Sequence, residues 1–292
     1  MDELKLKARA KINLSLDVLN KRNDGYHNVK MVMQQITLYD EIYLKKTDEG
    51  ISLTSNCSFL PTDISNIAYK AAYTMIEKYN VDGGVYINID KNIPIAAGLA
   101  GGSSDAAEVI KGMNILYDLN LSLEEMMEIG LTIGADVPFC ILGDGALAEG
   151  IGEKLTSIKG LKSGWIVLSK PNICVSTAEA YGNLNLDEIK VRPSTEDLLD
   201  ALERDNIYDV ANNLCNTFEP GIFSKYPIVK IIKEKMLEYG ALGSLMSGSG
   251  PSVYGVFKDY SKARSAYEKL KLLYNQTYLV RTYNGRQFND GI

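Results

Sequence analysis

Pro94-Ile-Ala-Ala-Gly-Leu-Ala-Gly-Gly-Ser-Ser-Asp-Ala-Ala107 lies between a segment patterned as a strand and one patterned as a helix, and its reading decides the fold. Gly98, Gly101 and Gly102 let the backbone come close to a ligand and turn its N–H groups toward one point. Ser103 and Ser104 are expected to cap the following helix, whose N-terminal amides and positive dipole end suit a polyphosphate. Asp105, one position later, is unfavourable beside bare phosphate and makes Mg²⁺ a reasonable companion. The stretch lacks the Gly-Lys-Ser/Thr of a Walker loop and the Gly-x-Gly-x-x-Gly of a dinucleotide fold. Taken alone, it fits a phosphate cradle or a tight turn before a well-capped helix.

The surroundings of the loop alternate between strand and helix patterns. On its N-terminal side, Leu4–Val18 alternates in places and reads as a half-buried strand, and Asn20–Gly25 is a polar turn. Val29–Leu38 and Glu41–Lys45 follow as two strands, Ser65–Tyr79 as a helix and Gly84–Asp90 as a strand. On its C-terminal side the pattern predicts a helix over Ala106–Tyr117. A capping box at Ser122-Leu-Glu-Glu125 opens a second helix that Gly134 closes. Val137–Leu142 and Ala146–Glu149 are short strand candidates. The Gly- and Lys-rich segment Gly150–Gly164 reads as a boundary between a domain of residues 1–155 and one of 156–292. Beyond it come strand Trp165–Ser169, helices Thr195–Arg204 and Ile228–Tyr239, strands Gly243–Met246 and Ser252–Phe257, helix Ser261–Leu273 and strand Thr277–Arg281. That is the order of a ferredoxin-like layer. The expected architecture is α+β, two domains with a cleft between them.

Bulk properties narrow the function classes. The chain has 292 residues, with 31 Lys plus Arg against 37 Asp plus Glu. Such an acidic balance argues against a nucleic-acid binder. Cys57, Cys140, Cys174 and Cys215 form no CxxC pair, and His27 is the single histidine, so no zinc set is expected. The cysteines read as reduced, mostly buried thiols. With no apolar run resembling a signal peptide or a membrane span, a cytoplasmic protein is expected.

Two further constellations bear on the loop. Ala8-Arg-Ala-Lys-Ile-Asn-Leu14 places Lys11 and Asn13 on one strand face. Gly134-Ala-Asp-Val-Pro-Phe139 sets Asp136 just past a helix end. Together with the loop these segments resemble the GHMP kinase superfamily of galactokinase, homoserine kinase, mevalonate kinase and relatives. Ser247-Gly-Ser-Gly-Pro251 fits its third motif. Asp24-Gly-Tyr-His27 after Ala10-Lys-Ile-Asn13 is similar to the branch of that superfamily that acts on a cytidine diphosphate sugar alcohol in isoprenoid precursor synthesis.

The resemblance implies a two-domain GHMP kinase fold, with a ribosomal protein S5 domain 2-like N-terminal part, a ferredoxin-like C-terminal part and the active site in the interdomain cleft. It implies ATP as phosphoryl donor, with Mg²⁺, and phosphorylation of the acceptor's 2-hydroxyl by a monomer or weak homodimer. Asp136 would be the general base and Lys11 its electrostatic partner. Pro94, Ala96, Ala97, Gly98, Leu99, Ala100, Gly101, Gly102, Ser103 and Ser104 would carry the ATP phosphates, with Asn66 and Lys91 near the adenine and ribose. Tyr26 and Tyr181 would stack on the cytosine, His27 would hydrogen-bond its edge, and Asn13 and Thr177 would bind the erythritol and diphosphate. Gly248, Ser249 and Gly250 would form a second glycine-rich turn. Ala100 stands where many relatives have Gly. A silent metabolite-sensing protein on this scaffold would be expected to have lost Lys11 or Asp136, and both are present.

Overall fold

A hairpin of two long strands opens the chain, β1 (Glu3–Lys21, 19 residues) and β2 (His27–Thr47, 21 residues), each several times the usual strand length. The turn between them closes with Arg22 N–H donating to Tyr26 O (2.8 Å) and with Gly25 at φ +88°. The computed structural model describes residues 1–162 and 164–285. After the hairpin come β3 (Ile51–Ser55), α1 (Ile67–Tyr79), β4 (Gly84–Asp90), α2 (Gly101–Leu116), α3 (Leu123–Ile133), α4 (Val137–Leu142), β5 (Gly145–Gly150), β6 (Lys154–Ile158) and β7 (Trp165–Lys170). The remainder holds α5 (Thr177–Gly182), α6 (Thr195–Glu203), α7 (Ile207–Asn212), β8 (Cys215–Asn216), α8 (Glu219–Lys225) and α9 (Pro227–Glu238). It ends with β9 (Gly243–Met246), β10 (Val253–Phe257), α10 (Tyr260–Leu273) and β11 (Gln276–Arg281).

The chain divides into two compact units. The first comprises Met1–Ala10, Leu38–Ile95 and Ala100–Gly143; the second takes Lys11–Thr37, Ala96–Leu99 and the described chain from Asp144 on. The long strands therefore run from one unit into the other. The expected single boundary in Gly150–Gly164 falls inside the second unit, where that segment carries β6 paired antiparallel with β5.

In the first unit the strand order is β3-β4-β2-β1. β3 is parallel to β4, and α1 supplies the crossover that a parallel pair needs. Asn66 caps α1, and the helix buries Ala68, Ala71, Ala72 and Met75. α2 buries Val109, Ile110, Met113 and Leu116, each large side chain worth about 1.5–3 kcal/mol of apolar burial. The capping box of α3 forms as expected: Glu125 N–H donates to Ser122 Oγ (3.2 Å), and Ser122 N–H to Glu125 Oε2 (2.8 Å). Val137–Leu142 is a helix rather than the expected strand. A six-residue apolar run does not declare its period, and Pro138 in the first turn, where no intrahelical N–H is needed, favours the helix.

In the second unit β1 lies between β8 and β2, β2 pairs with β5, and β5 with β6. A separate antiparallel sheet has the order β11-β7-β10-β9. Numbered by position in the chain this is 4-1-3-2, the ferredoxin-like order, with α9 between β7 and β9 and α10 before β11. α9 buries Val229, Ile232 and Met236, and α10 buries Ala263, Ala266 and Leu270.

Two further strand readings change. β2 is continuous through Tyr39-Asp40, because the Asp40 side chain finds partners inside the protein. β1 is buried on both faces from Ala10 to Val18, not half-buried. The four cysteines form no disulfide, but only Cys140 is buried; Cys57 and Cys215 are half-buried and Cys174 is exposed.

Candidate active site

The glycine-rich loop leaves β4 through a buried ion cluster in the first unit. Asp40 Oδ1 accepts the amides of Asn92 (2.5 Å) and Ile93 (2.8 Å), while Lys91 Nζ bridges Asp40 Oδ2 (2.5 Å) and Asp105 Oδ2 (2.7 Å). Burial pulls the Lys91 ammonium down, but Asp105 and Asp40 outweigh it and hold its pKa above the ordinary lysine value. Burial pushes the Asp105 carboxyl well above the carboxylate range, with Lys91 opposing. Lys91, expected near the adenine and ribose, thus has its ammonium inside the protein. Asn66 is likewise committed: Oδ1 accepts Ala68 N–H (2.9 Å) and Nδ2 donates to Pro61 O (2.7 Å).

Ala96 (φ +50°), Gly98 (φ +73°) and Ala100 (φ +55°) bend the loop through left-handed conformations. Such a conformation costs an L-residue roughly 1–2 kcal/mol, so Ala100 carries a strain that glycine would not. Helix α2 begins at Gly101, five residues earlier than expected, with Ala100 as N-cap. Ser103 and Ser104 therefore do not cap it. The Ser104 amide donates to Ala100 O (2.8 Å), and its buried hydroxyl donates to Arg9 O and lies 3.3 Å from Cys140 Sγ. The amides of Gly101, Gly102 and Ser103 precede that first intrahelical bond and form the positive end of a 16-residue helix. Backbone donors, rather than the Ser104 hydroxyl, are what this loop can offer an anion.

Asp105 does not fit an Mg²⁺ ligand, since one oxygen is held by Lys91 and the other is buried without a hydrogen-bond partner. Among the described residues no three His, Cys, Asp or Glu side chains stand together as a metal site.

In the second unit the period-two pattern of β1 yields a buried polar face of Lys11, Asn13, Ser15 and Asp17. Lys11 Nζ donates to Asn13 Oδ1 (2.7 Å), Tyr254 Oη donates to Asn13 O (2.9 Å), and Arg192 Nη1 pairs with Asp17 (2.5 Å). A row of polar side chains in a strand interior is costly unless its groups are paired, which singles out this face as a candidate site. The loop tip Ala96–Leu99 meets it, with Lys11 N–H donating to Leu99 O (3.1 Å). Ser247 Oγ donates to Gly98 O (3.0 Å). A Cβ on Gly98 would lie 2.2 Å from Ser247 O, and one on Gly248 would lie 3.0 Å from Gly98 O and 3.4 Å from Lys11 Nζ. Only glycine lets the loop tip and the turn Ser247–Gly250 approach this closely beside Lys11.

The aromatic groups form a second cluster. His27 stacks on Tyr181 (centroids 4.8 Å apart, 27° between planes), and Tyr181 meets Phe218 edge-on (4.8 Å, 86°). Burial, then Lys21, lowers the His27 pKa and favours the neutral ring. Tyr26 is 60 % exposed on the hairpin turn, its amide donating to Asp24 Oδ1 (3.1 Å). Thr177 Oγ1 lies 3.4 Å from Ser249 Oγ, linking α5 to the glycine-rich turn. Asp136, half-buried in the first unit, is the N-cap residue of α4 and makes no side-chain capping bond.

The structure thus brings Lys11, Asn13, Gly98 and Gly248 together, and His27 with Tyr181. Sequence reasoning missed Asp40, Asn216, Phe218 and Tyr254. The signal for Asp40 was a charge interrupting the alternation of β2; the others carry no local pattern, since their partners are distant in the chain.

Comparison with known proteins identifies the family. The GHMP kinases N terminal domain matches residues 66–144, and the GHMP kinases C terminal domain matches residues 198–276. A 4-diphosphocytidyl-2-C-methyl-D-erythritol kinase of Alkaliphilus oremlandii is 58% identical over 98% of both chains. That of Alkaliphilus metalliredigens is 50% identical over 99% of this chain and 100% of its own. The crystal structure of a 4-(cytidine 5'-diphospho)-2C-methyl-D-erythritol kinase superposes with a TM-score of 0.84 at 32% identity, covering 97% of this chain and 100% of that one. A homoserine kinase from Cytophaga hutchinsonii, at 18% identity and a TM-score of 0.79 over 98% of this chain and 96% of its own, shares the fold. The chain belongs to the GHMP kinases and, within them, to the 4-diphosphocytidyl-2-C-methyl-D-erythritol kinase family.

Proposed function

We propose that this chain transfers the γ-phosphoryl group of ATP to the 2-hydroxyl of 4-diphosphocytidyl-2-C-methyl-D-erythritol, a step of the non-mevalonate isoprenoid route. The observation that carries the reading is the junction where Lys11 Nζ lies beside Gly248 and the Gly98 loop tip. A fixed ammonium next to two glycine turns is suited to charge that develops on a transferring phosphoryl group.

The roles follow from the chemistry. The acceptor oxygen forms the new bond to the γ-phosphorus, the bridging bond to the β-phosphate breaks, and ADP leaves. Asp136 takes the hydroxyl proton, and Lys11 stabilises the negative charge. The amides of Gly101, Gly102 and Ser103 hold ATP phosphates together with the backbone of Pro94–Ala100. Mg²⁺ would be carried on the ATP phosphates, as is usual for this ion, and not by Asp105. His27 and Tyr181 take the cytosine, with Tyr26 closing on it from the turn, while Asn13 and Thr177 face the erythritol and diphosphate. Gly248, Ser249 and Gly250 line the path of transfer. The reading places a monomer or weak homodimer in the cytoplasm; among the described residues no helix is long and apolar enough to cross a membrane.

A coupled ADP-release assay tests this. Turnover with 4-diphosphocytidyl-2-C-methyl-D-erythritol should far exceed that with homoserine or mevalonate. Equal rates would overturn the acceptor assignment.

A further inference from the structure

Asn216 has no role in the chemistry above, yet its side chain is fully occupied. It is 3 % exposed at the end of β8, where it pairs in register with Leu16 of β1. Its Nδ2 donates to both Met246 O (2.8 Å) and Gly248 O (2.8 Å), and its Oδ1 accepts Phe218 N–H (3.0 Å). The next residues extend the same stitch. Thr217 N–H donates to Leu16 O (3.0 Å), Thr217 Oγ1 accepts Val18 N–H (3.2 Å), and Glu219 Oε1 accepts Met246 N–H (3.0 Å).

Asn216–Glu219 is thus a clip fastened to β1 on one side and to the glycine-rich turn on the other. β1 carries Lys11 and Asn13; the turn carries Gly248, which lies against Gly98 and Lys11. Two carbonyls held by one group require two donors from a single side chain, and a third contact requires an acceptor beside them. A primary amide supplies that set in one planar unit.

We propose that Asn216 is a positioning residue for phosphoryl transfer, its two N–H groups fixing the Gly248 turn beside Lys11 and its carbonyl fixing Phe218 under Tyr181. One side chain then sets both the transfer end and the aromatic end of the second unit. The proposal rests on the kinase reading above.

Asn216→Asp separates the two ends, since it keeps the acceptor toward Phe218 but turns a carboxylate oxygen toward the Met246 and Gly248 carbonyls. In the full-length protein, assayed well below its melting temperature, kcat should fall about 10- to 100-fold, the cost of misplacing reacting groups by about an ångström. The acceptor KM, and CDP affinity by calorimetry, should stay within about threefold of wild type. Phe218→Leu should do the converse, weakening CDP binding by about three- to tenfold, the worth of an aromatic pair, with kcat at saturation preserved. If Asn216→Asp does not fold, Asn216→Ser, which loses both amide donors and the acceptor toward Phe218, is expected to lower kcat and weaken CDP binding together, and an unchanged kcat in it would overturn the proposal. For Asn216→Asp, a lowered Tm with unchanged kcat, or kcat and acceptor KM damaged in proportion, would overturn it. Absence of turnover in the wild-type protein would instead defeat the kinase reading. The CDP calorimetry would then still judge the aromatic half, and equal weakening by both variants would sink it.

Discussion

Replacing Lys91 by Met discriminates between an internal ion cluster and an ATP contact. Its ammonium lies 2.5 Å from Asp40 and 2.7 Å from Asp105, with side-chain exposures of 6%, 0% and 3% for the three groups. Removing the cation leaves two buried carboxyl groups uncompensated, and breaking a buried pair in this way costs about 3–5 kcal/mol. For a chain of this size that corresponds to a fall in Tm on the order of 10 °C. Asp105→Asn should cost less, about 1–3 kcal/mol, because burial already biases this carboxyl toward its neutral form. The double variant should be less damaging than the sum, since the two residues share one contact. The sign of the pH effect follows from the same cluster. Without Lys91 the folded state holds a proton more tightly than the unfolded chain, so the deficit of Lys91→Met should shrink between pH 8 and pH 5.5. Thermal and urea unfolding at both pH values measure this, with the KM for ATP determined in parallel. A large rise in that KM with unchanged stability would refute the internal assignment and return Lys91 to the nucleotide.

Three further outcomes are expected. Asp136→Asn should lower kcat by about 10²–10⁴ with little change in ATP affinity, the usual worth of a general base; near-normal kcat in steady-state assays would remove Asp136 from that role. Tyr181→Leu should raise the acceptor KM by about five- to 150-fold, the value of one base stack of 1–3 kcal/mol, and leave the KM for ATP unchanged. An effect of Tyr181→Leu confined to ATP would contradict the stacking assignment. The folded-state pKa of His27 lies below its ordinary value of 6.5. Its contribution to stability is therefore present above about pH 6.5 and lost as the pH falls through the folded value. Wild-type Tm should drop more than that of His27→Gln between pH 7.5 and pH 5.5, and parallel curves would show that His27 does not titrate with folding.

Local signals in the chain were sufficient for much of this architecture. Ser122 and Glu125 announce a helix start because a capping box joins residues three apart, and the structure forms it. The order of β7, α9, β9, β10, α10 and β11 was legible and specifies the ferredoxin-like sheet, whereas the short α5, α7, β8 and α8 between them do not declare a period. Lys11 and Asn13 share a strand face by the alternation of side chains alone. The family resemblance rests on the same short segments.

What depended on partners far away in the chain needed the tertiary structure. The resemblance sets Lys91 and Asn66 near the adenine and ribose, and only the structure shows Asp40, Asp105, Ala68 and Pro61 engaging their side chains, because burial is a property of neighbours and not of residue type. Val137–Leu142 is a helix because its surroundings bury it as one, where six apolar residues could serve either period. The approach of Gly98 to Gly248 joins segments 150 residues apart, and the Asn216 clip joins β1 to the turn after β9. The sequence by itself determined that a glycine-rich loop opens a helix and that Lys11 belongs to a strand face. Only packing decided which donors of that loop remain available, that Ser104 and Lys91 turn inward, and that two glycine turns close beside Lys11, because those outcomes depend on desolvation and on contacts that no local pattern encodes.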